Sequence, residues 1–81
     1  MDAILNITVN GQNGELPQPV FFDATDVDVK AWAAEAVRNG NVPGIDADPN
    51  VDFRDFVVDR FSAKDTLPAR LVIRPKTPFG L

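Results

Sequence analysis

Residues 3–9 read Ala-Ile-Leu-Asn-Ile-Thr-Val, and the pair Asn10-Gly11 follows them. Every second residue of this stretch is apolar and would lie on one face of a strand: Ala3, Leu5, Ile7 and Val9. Alternation with a period of two is typical of a strand that is buried on one side. An Asn-Gly pair after such a strand is a strong hairpin signal. The stretch therefore predicts the first strand of a sheet, followed directly by a tight turn.

The return strand of this hairpin is predicted at about residues 15–23, and it contains two prolines. Pro17 and Pro19 are two positions apart, so the N–H groups that they lack would point to the same side of the strand. A strand that is paired on both sides could not tolerate this loss, whereas an edge strand can. The pattern therefore predicts a return strand at the edge of the sheet.

One amphipathic helix is predicted after the hairpin. Thr25 or Asp26 can cap its beginning, and Asn39-Gly40 is a standard end signal. Apolar residues recur between these limits at helical spacing and form one stripe: Val29, Trp32, Ala33, Ala36 and Val37. A helix of only about 13 residues needs tertiary packing to be stable. We expect the whole stripe, including Trp32, to pack against the sheet.

The second half of the chain predicts a loop and two further strands. Residues 41–50 are rich in Asn, Asp, Pro and Gly, which indicates a loop. Residues 51–61 are apolar but of mixed period, and we interpret them as one strand with an irregularity such as a bulge. Residues 69–74 alternate again until Pro75 ends the pattern, and this strand is expected to lie centrally beside the first.

Together these elements predict an α+β fold, with a mixed four- to five-stranded sheet and one helix packed on one of its faces. Residues 1–75 would form a single domain, and residues 76–81 an extended C-terminal tail. Three aromatic residues of the 51–61 strand, Phe53, Phe56 and Phe61, cannot all face one side of a regular strand. At least one of them should be exposed, at a bulge or at an interface, which indicates a hydrophobic partner surface and leaves open a monomer or a weak homodimer.

The composition argues against an enzyme. The chain has no Cys, His or Tyr, so acid–base chemistry would fall to carboxylates. Asp26 and Asp28 do not face one another at a helix start, and Asp55 and Asp59 would be about 13 Å apart on a strand. Ser62 lies in a predicted turn without a catalytic neighbour. We therefore predict no catalytic residue and no cofactor.

Charge and hydropathy limit the classes of partner that we expect for this protein. The formal net charge is -4; residues 1–29 carry five carboxylates and no cation, and residues 66–81 carry three cations and no carboxylate. This distribution lacks the concentrated basic face that nucleic-acid binding needs. No apolar run approaches the roughly 18–20 residues that span a bilayer. We expect other proteins as partners, no nucleic acid, no membrane, and a cytoplasmic location.

Oxygen-bearing residues at alternate positions of Asp46–Asp52 are similar to the start of a calcium-binding loop. The loop, however, has Val51 where the motif requires Gly and Val57 where it requires a bidentate Glu. We therefore predict no metal site. The expected role of these side chains is to cap the backbone of their own loop.

The order of elements resembles the ubiquitin-like β-grasp family over nearly the whole chain. Gly40-Asn41-Val42-Pro43 is similar to the helix exit of that family, and Thr66–Arg74 resembles its last strand, which leads into a basic tail. The resemblance implies a non-enzymatic interaction module, with Gly80 as a candidate conjugation terminus. Conjugating members end in Gly-Gly, whereas here Phe79 precedes Gly80 and Leu81 follows it.

Several functions remain open under this resemblance. If the chain is conjugated, Lys30, Lys64 and Lys76 are candidate chain-forming sites, and otherwise they are surface charges. A sulfur-carrier or accessory subunit, whose terminal carboxylate is activated by an enzyme, is one alternative, and a structural or oligomeric subunit is another.

The basic end of the chain is the candidate partner-binding site, formed by Arg70, Arg74 and Lys76 together with Phe79. These residues could dock into an acidic groove of a partner protein. The alternative is that they form the solvent-facing side of an amphipathic strand.

Overall fold

The computed structural model describes residues 1–76. In chain order they form five strands and one helix: β1 (Asp2–Val9), β2 (Gln12–Glu15), β3 (Val20–Phe21), α1 (Asp26–Arg38), β4 (Val57–Phe61) and β5 (Arg70–Arg74). The sheet has the order β2-β1-β5-β4, and β3 also pairs with β1. The predicted α+β fold with one mixed sheet and one helix is confirmed.

The centre of the sheet is the parallel pair of β1 and β5, in which Leu5 lies opposite Leu71 and Ile7 opposite Ile73. All four side chains are fully buried, as the alternating pattern predicts. Burial of such a side chain stabilises the fold by about 1.5–3 kcal/mol. The predicted central position of the last strand beside the first is therefore confirmed.

The return segment of the hairpin lies at the edge of the sheet, as predicted, but it is not one continuous strand. The amide of Leu16 donates to the carbonyl oxygen of Leu5 at 3.0 Å, and the pairing then breaks until Val20. Because backbone groups alternate along an extended chain, the nitrogen of Pro17 points away from β1. The prolines thus divide the edge into β2 and β3.

Helix α1 begins and ends as the sequence predicts. Thr25 accepts a hydrogen bond from the amide of Asp28 on its side-chain oxygen at 3.1 Å. At the other end Gly40 has φ of 70°, and the amide of Asn41 donates to the carbonyl oxygen of Ala36 at 2.8 Å. Glycine suits this left-handed position because it has no Cβ.

The buried side of α1 differs from the predicted stripe at one position. Val29, Ala33 and Val37 are buried, but Trp32 is 38% exposed. Trp32 lies at one border of the stripe and Ala34 at the other. The small side chain of Ala34 is buried there, whereas the larger indole ring of Trp32 is only partly covered. The prediction that Trp32 belongs to the core is wrong.

The predicted strand over residues 51–61 is wrong in its first half, because strand β4 contains only its last five residues. The side chains of Val51 and Phe53 are buried, although both residues lie in an irregular loop. The carboxylate of Asp52 accepts a hydrogen bond from the amide of Arg54 at 2.8 Å, and Phe56 donates to the carbonyl oxygen of Phe53 at 2.9 Å. These local bonds compete with a strand ladder.

Loop 41–50 is bound to the hairpin by side-chain amides. Asn10 donates to the carboxylate of Asp48 at 3.1 Å. Gln12 donates to the carboxylate of Asp46 at 3.2 Å and accepts from the amide of the same residue at 2.8 Å. The loop therefore packs over the turn end of β1 and β2. Its own backbone is capped as predicted, because the carboxylate of Asp48 accepts from the amide of Asn50 at 3.0 Å.

Candidate functional site

The sheet has one face that α1 does not cover, which we call the outer face. The helix packs on the other face, where the buried residues of β1 and β5 form one core cluster with those of α1. Residues at the alternate positions point to the outer face: Ile4, Asn6 and Thr8 from β1, Val57, Asp59 and Phe61 from β4, and Arg70, Val72 and Arg74 from β5. Two predicted partner-binding residues, Arg70 and Arg74, therefore lie on one surface.

Arg70 stacks on an aromatic ring of the neighbouring strand. It lies directly opposite Phe61, and its guanidinium carbon is 5.4 Å from the ring centroid. Among residues 1–76, no carboxylate forms an ion pair with Arg70. Phe61 is 48% exposed, so the ring offers a second, free surface. The predicted exposure of at least one of the three phenylalanines is confirmed, and its position is beside Arg70.

Arg74 is held differently, by an ion pair on the same surface. Its Nε donates to Oδ2 of Asp59 at 2.6 Å, and the two side chains are 40% and 34% exposed. The two residues are diagonal neighbours across β4 and β5, because Arg74 lies opposite Val57 and Asp59 opposite Val72. The charge of Arg74 is thus partly neutralised, and Arg70 keeps the less compensated charge.

The β1–β2 side of the outer face carries a network of side-chain amides, and Glu15 lies beside it, opposite Asn6. Asn6 and Asn13 exchange side-chain hydrogen bonds of 3.1 and 2.8 Å, and Asn13 also donates to the hydroxyl of Thr8 at 2.8 Å. These amides satisfy one another, which fixes their orientation. The outer face is therefore divided into an amide network at one side and an aromatic, cationic half at the other.

Sequence reasoning missed the residues that complete the cationic half, namely Phe61 as the partner of Arg70 and Asp59 as the partner of Arg74. Their assignment depends on the register of β4, which the mixed period of residues 51–61 does not specify. Strand alternation alone does predict that Ile4 and Val72 lie on this face.

The other predicted residues have different surroundings. Lys76 is exposed beyond the end of β5. Gly80 and Phe79 lie outside the described residues. Lys30 donates to the backbone oxygen of Arg54 at 3.0 Å. Lys64, which is exposed, lies in a tight turn whose backbone pairs with Leu67.

One carboxylate of each pair that was considered for acid–base chemistry forms an ion pair with an arginine. Asp26 binds Arg60 at 2.6 Å, and Asp59 binds Arg74. Within residues 1–76 no group of three acidic side chains is close enough to hold a metal ion. In the same part of the chain no helix has the length and apolar character that would carry it through a bilayer.

The chain was compared with protein-family models, with curated proteins and with solved structures, and none of the three comparisons gives a match. The class of protein is therefore defined by its own geometry. Residues 1–76 form a small α+β domain with a mixed five-stranded sheet, one helix and one sheet face that this helix does not cover.

Proposed function

We propose that this chain is a non-enzymatic protein-interaction module of the ubiquitin-like β-grasp kind. The sheet order β2-β1-β5-β4, with a parallel central pair and one helix across one face, is consistent with a β-grasp. The resemblance in the helix exit and the last strand supports the same assignment. The outer face is the binding surface, and the partner is another protein.

The observation that carries this proposal is the pair of Phe61 and Arg70. A half-exposed aromatic ring and a guanidinium without an ion-pair partner among residues 1–76 lie side by side on an uncovered sheet. Aromatic residues and Arg are enriched in the centres of protein interfaces. The chemistry selects a partner that offers a carboxylate to Arg70 and an apolar contact to Phe61.

Site-specific crosslinking in the cells that produce the protein tests the proposal. A photoreactive residue at position 72 lies on the outer face, and one at position 27 is the matched control, because Val27 is an exposed apolar residue on the helix. We expect discrete protein adducts from position 72 that are lost on Phe61→Ala and on Arg70→Ala. Equal adduct patterns from both positions, or none from position 72, would contradict the proposal.

A second candidate function is covalent attachment through Gly80. It is supported by the position of β5, which is a central strand, and by exposed Pro75 and Lys76 directly after it. Such a strand would present the following residues to an activating enzyme. The sulfur-carrier alternative uses the same terminal carboxylate after its activation by an enzyme.

Intact mass of the protein from its own cells separates these candidates. Adducts of higher mass, absent in Gly80→Ala, would support conjugation, and a thiocarboxylate would support sulfur transfer. An unmodified 81-residue chain throughout would exclude both and leave the interaction module unaffected.

A further inference from the structure

A groove runs between α1 and the broken edge of the sheet, and we call it the Trp32 groove. It has two adjoining parts, of about 420 and 350 Å³, and Trp32, Leu16 and Gln18 border both of them. Pro17 and Glu35 line the first part, and Pro19 and Phe21 line the second. An exposed indole ring is unusual in a domain with so small a core, because large aromatic side chains supply much of the burial energy.

The Trp32 groove is anionic. Glu35 is its one charged lining residue within residues 1–76. The two cations of α1 do not line this groove, although both border a neighbouring groove together with Glu35. Lys30 donates to the backbone oxygen of Arg54, and Arg38 donates to that of Val51 at 3.0 and 3.3 Å. The groove therefore favours a cationic ligand.

An added strand cannot pair continuously with the edge of the sheet beside this groove, because two residues of the edge lack an N–H donor. The nitrogen of Pro17 points outward, because Leu16 donates toward β1, and Pro19 lacks a donor as well. Prolines at such positions prevent pairing with another strand. The ligand must therefore bind mainly through side chains. Extended proline-containing peptides bind in this way, in grooves that are lined by aromatic residues.

The chain itself contains a segment with this chemistry. Residues 75–79 read Pro-Lys-Thr-Pro-Phe, in which two prolines are three positions apart and a cation follows the first. In a polyproline conformation these prolines are about 9 Å apart and project from the same side, since the helix has three residues per turn. Two adjoining pockets that meet at one indole ring suit two such prolines.

We propose that the segment Pro75–Phe79 of one copy binds in the Trp32 groove of a second copy. The prolines occupy the two parts of the groove, and Lys76 is attracted to Glu35. This contact is separate from the outer face and does not depend on the proposed function.

A second copy is required because the chain cannot place its own Pro75 in its own groove. Pro75 follows Arg74, which is paired in β5, and β1 lies between β5 and the edge segment 16–21 that lines the groove. Two strand spacings amount to about 10 Å. Loop 41–50 also covers the turn end of β2, where Asp46 is bound to Gln12. If both copies exchange their segments the product is a closed dimer, and otherwise it is an open chain.

The fluorescence of Trp32 tests this proposal on the full chain, since it is the one tryptophan. Emission and molecular mass are followed together over a wide range of protein concentration. We expect emission at shorter wavelength and a larger mass at high concentration, and both changes reverse on dilution. Pro78→Ala should abolish both changes, and Lys76→Glu should weaken association roughly three- to tenfold, as reversal of an exposed charge does.

Two further variants complete the experiment. Lys64→Glu is the matched control, because it reverses an exposed charge outside the segment, and it should behave as the unmodified chain does. Glu35→Lys combined with Lys76→Glu should restore association. The proposal is overturned if Trp32 emission is the same at all concentrations. It is also overturned if Pro78→Ala changes the emission independently of concentration, or if the mass rises while the emission stays constant.

Discussion

Gly14 lies directly beneath the carbonyl group of Pro43, so that a Cβ atom built on Gly14 would be only 2.2 Å from that oxygen. The same Cβ would lie 2.9 Å from a methyl carbon of Val42. Both neighbours belong to loop 41–50, which is fixed to the hairpin by Gln12. The hairpin and the loop are thus in contact at a position where only hydrogen fits.

Gly14→Ala should therefore destabilise the domain, because the loop must move away from the hairpin. Overpacking of this kind costs about 1–3 kcal/mol of unfolding free energy. Urea unfolding at equilibrium measures the loss. Gly11→Asn is the control, because Gly11 has φ of 75°, which Asn tolerates, and its Cβ would have open space. Equal stability of Gly14→Ala and the unmodified chain would show that the loop does not pack as closely as described.

Thr25→Ala should remove the side-chain hydrogen bond that caps the beginning of α1. The hydroxyl of Thr25 accepts from the amide of Asp28 at 3.1 Å, and its loss leaves that donor without its partner. Loss of an N-cap costs about 1 kcal/mol. Thermal unfolding, followed by the helical signal in circular dichroism, measures the change. Thr25→Ser keeps the acceptor and should retain most of the stability, so a similar loss in both variants would argue against capping.

The parts of the fold that follow from the sequence are those in which one local pattern has one solution. The alternation in residues 3–9 and 69–74 predicts two half-buried strands, and the capping residues at Thr25 and Gly40 predict the helix ends. The parts that do not follow depend on neighbours in space. Residues 51–56 have a strand-like composition, but the carboxylate of Asp52 and the burial of Phe53 fix an irregular loop instead.

The candidate site could be predicted only in part, for the same reason. Arg70 and Arg74 are four positions apart on a strand, so their common face follows from the period of two. That Phe61 lies beside Arg70, and Asp59 beside Arg74, depends on the β4 register, which no local pattern specifies. Trp32 is a case in which the local pattern misleads. Its spacing fits the buried stripe of α1, but at the border of that stripe its large ring is not fully covered.

The ion pair of Asp59 and Arg74 should contribute little to stability although its distance is only 2.6 Å. Both side chains are about one-third exposed or more, and exposed pairs typically contribute less than about 1 kcal/mol. A double-mutant cycle of Asp59→Ala and Arg74→Ala should give a coupling free energy in that range, and 1 M salt should reduce it. A coupling free energy that is well above 1 kcal/mol and insensitive to salt would show that this pair fixes the register of β4.

Phe53 and Phe61 should separate stability from binding. Phe53 is 2% exposed and its ring meets that of Phe56 edge to face at 4.9 Å, whereas Phe61 is 48% exposed. Phe53→Ala should cost about 3–5 kcal/mol of unfolding free energy, because it leaves a cavity in the core. Phe61→Ala should cost less than about 1 kcal/mol, the size of the exposed contact with Arg70. Urea unfolding gives both values, and crosslinking from position 72 gives the effect on binding.

If Phe61→Ala unfolds the domain as Phe53→Ala does, Phe61 serves stability and the outer face loses its central binding residue. If the Phe61→Ala variant remains stable and the crosslinks from position 72 disappear, the exposed ring of Phe61 contributes to partner binding.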